Sequence, residues 1–278
     1  MRPAPSGAEK IIKMKIAIIG AGNMGGAVAR GLARGTKVAT SKIYVSNPST
    51  AKLEALRSEH PEINTTTNNC EAAVAADLVI LAVKPWKVAE VVEEIKPHLD
   101  YSRQAVASMV GGLGTAQLSE WLDKGDDKLP ATYIIIPNTA IATMSSMTFI
   151  ASTRTTPEQD AELVEIFNEL GEAMLVDEGL IPAGTSLASC GIAYALRYIR
   201  AAMEGGVEIG MRADDAKRIV MQTLRGAVDI LEANGTHPEA EIDRVTTPGG
   251  LTIKGLNAME AAGFTHSVIE GLRASTKR

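Results

Sequence analysis

Aromatic side chains are scarce: three phenylalanines, two tryptophans and five tyrosines among 278 residues. That is too few for base-stacking platforms to be a theme of the molecule. An excess of positive charge is missing too. Twenty-eight Lys and Arg face 33 Asp and Glu, giving a formal net charge of −5 and a pI near 5.5. The only basic run is the terminal Lys277 and Arg278, so a nucleic-acid partner is not expected. Cysteine is rare as well. Cys70 and Cys190 lie far apart in no CxxC or metal-spaced pattern. They read as two reduced thiols of a cytoplasmic protein without a metal. Four histidines, His60, His98, His237 and His266, are scattered and read as solvated. Residues 129–153 carry no charge, yet Pro130, Pro137 and Asn138 interrupt them, so they read as buried backbone and no membrane span is expected.

What is present suits a soluble two-domain chain: 45% of residues are hydrophobic and 22% charged. Residues 1–13, with Pro3, Pro5, Ser6 and Gly7, offer little to pack and read as a flexible extension. Apolar runs predict strands over 15–19, 42–45, 77–83, 104–109, 131–136 and 147–151. Helical patterns cover 26–34, 50–58 and 115–122. Such alternation predicts an α/β unit over 14–177, a parallel sheet wrapped by helices. Beyond Pro182 no strand is expected. Residues 185–207, 213–234, 250–262 and 266–273 read as helices, rich in small residues that allow close packing. A helical unit over 178–278 follows, and dimerisation through it is expected.

Gly20-Ala-Gly22-Asn-Met-Gly25 follows the first strand and opens a helix. The first glycine suits a tight turn, the second admits a pyrophosphate against bare backbone, and the third lets helix and strand approach. A dinucleotide site is the reading. At the end of the second strand, Ser46-Asn47-Pro48-Ser49-Thr50, with Lys52 beyond, offers no carboxylate to meet a ribose 2′-hydroxyl. NADP(H) is therefore favoured, with NAD(H) left open. Ala82-Val83-Lys84-Pro85 closes the next strand and should line the nicotinamide side, while Pro137-Asn138-Thr139 closes the fifth with polar side chains toward the cleft. Val245-Thr-Thr247-Pro-Gly249-Gly250-Leu251-Thr252 precedes a helix and presents backbone N–H groups to an anion, with two threonine hydroxyls beside them.

With GAGNMGGA at 20–27, ADLVILAVKPW at 76–86, PNT at 137–139 and VTTPGGLT at 245–252, the chain resembles the pyrroline-5-carboxylate reductase family over nearly its whole length from Lys15. The resemblance implies an N-terminal Rossmann-type domain and a C-terminal all-helical dimerisation domain that interlocks with a partner's, with dimers in some relatives assembling into rings (a decamer). It implies that Gly20, Gly22, Asn23, Met24 and Gly25 hold the pyrophosphate, and that Ser46 and Asn47 face the adenosine ribose. It places Asn69 toward the adenine and Ala82, Val83, Lys84 and Pro85 along the nicotinamide. Asn138, Thr247, Gly249, Gly250 and Leu251 fall on the substrate side, and Thr252 is the catalytic candidate, near the substrate nitrogen. The implied reaction is hydride transfer from NAD(P)H to the C=N carbon of 1-pyrroline-5-carboxylate. Three departures stand out. Ile134 replaces a basic residue, Ala188-Ser-Cys190-Gly-Ile192-Ala193 replaces a serine-glycine-serine-glycine-proline-alanine stretch, and Leu251 replaces a threonine or alanine. Reduction of another cyclic imine, or dinucleotide binding without turnover, stays open. A β-hydroxy-acid reductase is disfavoured because 185–199 contains no lysine. Tyr194 and Arg197 on the long helix read as dimer packing.

Overall fold

The computed structural model describes residues 12–125 and 128–276. The extension expected over 1–13 lies outside the described residues up to residue 11. Ile12 departs from that expectation. It is buried, its N–H donates to the Lys37 carbonyl at 2.7 Å, and it bridges Val38 in parallel. Taking an isoleucine side chain out of water favours that attachment.

Strands β1 (Ile16–Ile19), β2 (Ile43–Ser46), β3 (Asn64–Thr66), β4 (Leu78–Leu81), β5 (Ala105–Ser108), β6 (Ala131–Ile136), β7 (Ser146–Thr153) and β8 (Gly171–Leu175) form one sheet, ordered β3-β2-β1-β4-β5-β6-β7-β8. Every neighbouring pair is parallel except β6 with β7. Helices α1 (Asn23–Arg34), α2 (Thr50–Glu59), α3 (Asn69–Ala75), α4 (Val88–Ile95), α5 (Thr115–Leu122) and α6 (Pro157–Asn168) complete the α/β unit. β1 and β4 are apolar throughout because both faces are covered. Successive residues of β1 enter different clusters, Ile16 and Ile18 in one, Ala17 and Ile19 in the other, as a period of two requires. The charge-free run at 129–153 supplies β6 and β7. Two strands were not expected. β3 is Asn-Thr-Thr at the sheet edge, and β8, Gly-Glu-Ala-Met-Leu, has no β-branched residue. The strand expected over 77–83 is thus the fourth in the chain, and Pro137 follows the sixth.

Register sets the functional edge. Ile19 pairs with Ser46 on one side and Leu81 on the other, and Leu81 pairs with Ser108. The residues that follow these strands leave the sheet at one level. Strand order reverses between β1 and β4, and in open α/β sheets that is where a ligand crevice opens.

After β8 the chain turns helical, as expected. A tight turn at Glu178–Leu180 leads into α7 (Ile181–Gly184), a π-helical stretch at Thr185–Cys190, and α8 (Gly191–Glu208). Then come α9 (Ala213–Asn234), α10 (Pro238–Val245), α11 (Leu251–Ala261) and α12 (Phe264–Thr276). Gly235, at φ +59°, ends α9 at the bound expected from the sequence. The chain divides into two compact units, Met1–Ser189 and Cys190–Arg278, so the cut falls inside the helical run, beyond the last strand. Among the described residues of the second unit only Ala216 is buried. The run Glu178–Glu208 is the one described helix long and apolar enough to cross a membrane by length and composition.

Candidate functional site

The glycine turn joins β1 to α1, and its three glycines meet three different constraints. Gly20 has φ +107°, and a Cβ there would sit 2.8 Å from the Ala82 carbonyl oxygen. A Cβ on Gly25 would sit 2.0 Å from the Gly20 carbonyl oxygen and 2.8 Å from the Ala82 Cβ. Gly22 is the N-cap of α1, and a Cβ there would meet nothing within 4 Å. Two glycines are therefore required by the protein itself, while the third leaves open space at a helix start. The helix begins at Asn23, three residues before the expected 26, so Asn23, Met24 and Gly25 form its first turn. Their N–H groups have no intrahelical acceptor and are offered to an anion, with no acidic side chain in that turn. The Met24 side chain packs on the core, so only its backbone can serve.

At the end of β2 the side chains differ from expectation. Asn47 is buried. Its Oδ1 accepts from the Ala21 N–H at 3.0 Å and its Nδ2 donates to the Ser49 carbonyl at 3.2 Å. It holds the glycine turn rather than facing a ribose. Ser46 is fully buried, and its hydroxyl donates to Asn69 Oδ1 at 2.7 Å, so it too acts from behind the surface. Asn69 begins α3, half-exposed, and its Nδ2 donates to Glu94 Oε2 at 2.8 Å. The exposed polar groups at this end are Ser49, whose hydroxyl makes no cap bond to α2, Thr50 and Lys52.

A cavity of about 450 Å³ lies beside the turn, lined among others by Gly22, Asn23, Arg30, Arg34, Lys52 and Ala142. Neither arginine was singled out from sequence. The signal was the spacing of four that puts Gly26, Arg30 and Arg34 on one face of α1. Arg30 donates to Glu59 through Nε at 2.6 Å and Nη2 at 2.9 Å, and that bond holds the Glu59 carboxyl below its ordinary pKa. Arg34 donates to the Ala142 carbonyl at 3.0 Å. Beside Asn69, burial and then the Glu94 charge push the Cys70 thiol upward.

Ala82, Val83, Lys84 and Pro85 leave β4 at the crevice. Val83 Cγ1 lies 3.1 Å from where a Cβ on Gly20 would be, and Lys84 and Pro85 are exposed. Asn138 is not open to a cleft. It is 5% exposed, with its Oδ1 accepting from the Ala140 N–H at 3.0 Å and its Nδ2 donating to the Ala188 carbonyl at 3.3 Å. With Ser189 donating to the Pro137 carbonyl at 3.4 Å, it fastens the π-helical stretch to the end of β6. The altered segment at 188–193 starts on that stretch, and Ile134 is part of the buried core. Glu178, also missed in the sequence, accepts from the Thr115 N–H at 2.9 Å and from the Thr115 hydroxyl, capping α5 from outside.

In the second unit, Gly249 has φ +71°, and the Gly250 N–H donates to the Thr247 carbonyl at 2.9 Å. Gly250 is the N-cap of α11, again without a side-chain cap or an acidic residue in the first turn. Leu251, 86% exposed, and Thr252 thus present free N–H groups, with the Thr252 hydroxyl among them. No group of three or more potential metal ligands occurs among the described residues.

Comparison with known proteins adds the relatives. Residues 178–278 match the family described as pyrroline-5-carboxylate reductase dimerisation, and residues 15–112 match that described as NADP oxidoreductase coenzyme F420-dependent. Pyrroline-5-carboxylate reductase 2 of Dictyostelium discoideum is 37% identical, over 95% of this chain and 91% of its own length. Pyrroline-5-carboxylate reductase 1 of the same organism is 35% identical over 97% of this chain, which spans 50% of that protein's length. The crystal structure of Plasmodium falciparum pyrroline carboxylate reductase with NADP bound superposes with a TM-score of 0.84 at 25% identity, covering 96% of this chain and 97% of that one.

Proposed function

Since the chain belongs to the pyrroline-5-carboxylate reductase family, we propose that it reduces the C=N bond of 1-pyrroline-5-carboxylate to L-proline with NADPH, in proline biosynthesis. The observation that carries this reading is the pair of uncapped, glycine-led helix starts, α1 in the first unit and α11 in the second. One suits a pyrophosphate and the other a substrate carboxylate. The open space at Gly22, against the filled space at Gly20 and Gly25, is the fit expected of a dinucleotide cradle.

When bound, the reduced nicotinamide supplies the hydride. The chain's own residues bind and orient. The N–H groups of Asn23 and Met24 take the pyrophosphate, Ser49 and Lys52 take the 2′-phosphate, and residues 82–85 wall the nicotinamide side. The N–H groups of Leu251 and Thr252 anchor the substrate carboxylate, and Thr252 Oγ1 hydrogen-bonds the ring nitrogen, which ends the reaction carrying a proton. No His, Asp or Glu in either constellation offers itself as an acid. Orientation alone can supply about 7–11 kcal/mol of barrier lowering, against roughly 10²–10⁴-fold from one general acid, so positioning is the larger contribution. Thr252→Ala is expected to lower kcat/KM about tenfold or more. A variant with wild-type kcat/KM would remove Thr252 from the mechanism.

The central test is loss of reduced-nicotinamide absorbance on adding 1-pyrroline-5-carboxylate, with NADPH and then NADH. Turnover with a preference for NADPH is expected. A protein that binds NADPH but leaves the imine unreduced would overturn the assignment in favour of another cyclic imine or a silent binder.

We further propose a homodimer through α8 to α12, with any ring of dimers built on it. Apolar side chains left exposed on these helices, Leu196, Val228 and Ile269 among them, support it. The same pairing accounts for the apolar run Glu178–Glu208 without a bilayer. The unpaired thiols Cys70 and Cys190 support a reducing compartment, the cytoplasm.

A further inference from the structure

Ser46, Asn69 and Glu94 come from three elements, β2, α3 and α4, and form one hydrogen-bonded chain. Its polarity is not symmetric. A serine hydroxyl can donate or accept, so Ser46 would satisfy either end of the Asn69 amide. A carboxylate only accepts, so Glu94 admits only the NH₂ end. The direction in which Asn69 faces is therefore set from Glu94, and Ser46 follows by donating to Oδ1. One N–H and one lone pair of the amide remain for a ligand.

We infer that Glu94 is a positioning residue for the adenosine half of the dinucleotide, acting through the orientation of the Asn69 amide. This rests on the dinucleotide reading of the first unit. Two other roles for Glu94 make different demands. As an anionic side chain on the cofactor side it would repel phosphates, and its removal would tighten binding. As a packing element, through the bond from Cys70 Sγ to the Glu94 carbonyl at 3.4 Å, it would act through the backbone and be indifferent to the side chain. Glu94 is exposed, where ionic screening weakens charge effects at a distance, whereas the bond to Asn69 is direct. Orientation is accordingly the larger effect.

The test uses the full-length protein and 2′,5′-ADP, which carries the adenosine half alone, with Kd measured by calorimetry. Steady-state constants for NADPH and for reduced nicotinamide mononucleotide, which lacks adenosine, run beside it. Glu94→Ala should raise the 2′,5′-ADP Kd and the NADPH KM together by about three- to tenfold, the worth of one hydrogen bond. It should leave kcat and the mononucleotide constants alone. Glu94→Gln should lie between, within about twofold of wild type, because a carboxamide accepts from Asn69 but no longer dictates its direction. In an Asn69→Ala background, Glu94→Ala should add nothing further. Unchanged or tighter 2′,5′-ADP binding in Glu94→Ala, equal losses with both nicotinamide substrates, or additivity with Asn69→Ala would each overturn the inference while leaving the dinucleotide site standing. If the wild-type protein bound neither NADPH nor 2′,5′-ADP, the dinucleotide reading itself would fall.

Discussion

Gly22 and Gly25 lie three residues apart in one turn and should respond in opposite ways to the same methyl group. At Gly25 the methyl would be driven into the Gly20 carbonyl, and backbone cannot step aside as a side chain can. Gly25→Ala should cost at least about 3 kcal/mol and show as a large fall in Tm. At Gly22 the backbone is extended and the space empty, so Gly22→Ala should keep Tm within about 3 °C. Its methyl occupies the room left for phosphate, and NADPH affinity should fall at least tenfold by calorimetry. Lys52 sets a second contrast. It is exposed and flexible, so Lys52→Ala should raise the NADPH KM about fivefold, worth roughly 1 kcal/mol, and leave NADH untouched. Equal effects on both cofactors would take the 2′-phosphate away from Lys52. The glycines were legible in the sequence because their demands are local. The duties of Ser46, Asn47 and Asn138 were not. Each is polar and near a strand end, as a ligand contact would be, and only the fold shows its hydrogen bonds turned inward.

The elements hold together partly through carboxylates that cap segments distant in sequence. Glu178, at the start of the helical run, supplies the acceptor that the N-terminus of α5 lacks, and Thr153 Oγ1 adds a bond to Thr115 at 3.1 Å. Glu178→Ala should cost about 1–2 kcal/mol, as loss of an N-cap and of an anion at a helix N-terminus does, lowering Tm by about 2–8 °C. Glu178→Gln, which keeps an acceptor, should lose less. Thermal unfolding of the two variants checks the ranking, and equal Tm values would sink it. Glu169 does the same for residues 35–37, accepting from the N–H groups of Thr36 and Lys37 at 2.7 and 2.9 Å. At this scale the sequence was readable where periodicity and punctuation agreed. α5 and α9 lie at the expected bounds, and β1, β4 and β6 read as apolar runs. β3 escaped because three polar residues at an edge carry no burial pattern. β8 escaped because it opens on Gly171, at φ +148°, packed against the Ser146 backbone, a tertiary constraint with no local signature.

Over the whole molecule, apolar burial is divided unevenly. The sheet carries both core clusters, whereas the described helices beyond Cys190 bury one residue, Ala216. The homodimer proposed above would supply the burial that this unit lacks by itself. Unfolding should therefore depend on protein concentration, with Tm rising as the protein is made more concentrated. Val228→Glu gives a sharper check. On a free surface such a change stays within about 0.5 kcal/mol. Val228 is 54% exposed on α9, and in the homodimer proposed above the change should split the oligomer in sedimentation and lower Tm by several degrees. An unchanged sedimentation coefficient would leave that face of α9 outside the interface.

The thinly covered helices also bear on how the protein is made. They follow the sheet in the chain and are made after it. What emerges is a finished nucleotide-binding half trailing a sticky, unfinished one. In the homodimer proposed above, covering these helices takes an encounter between two chains, second order in concentration. Refolding from denaturant should show a fast phase independent of protein concentration and a slow one that quickens with it. Between those phases the exposed helices are what a chaperone would grip, and what would aggregate in its absence.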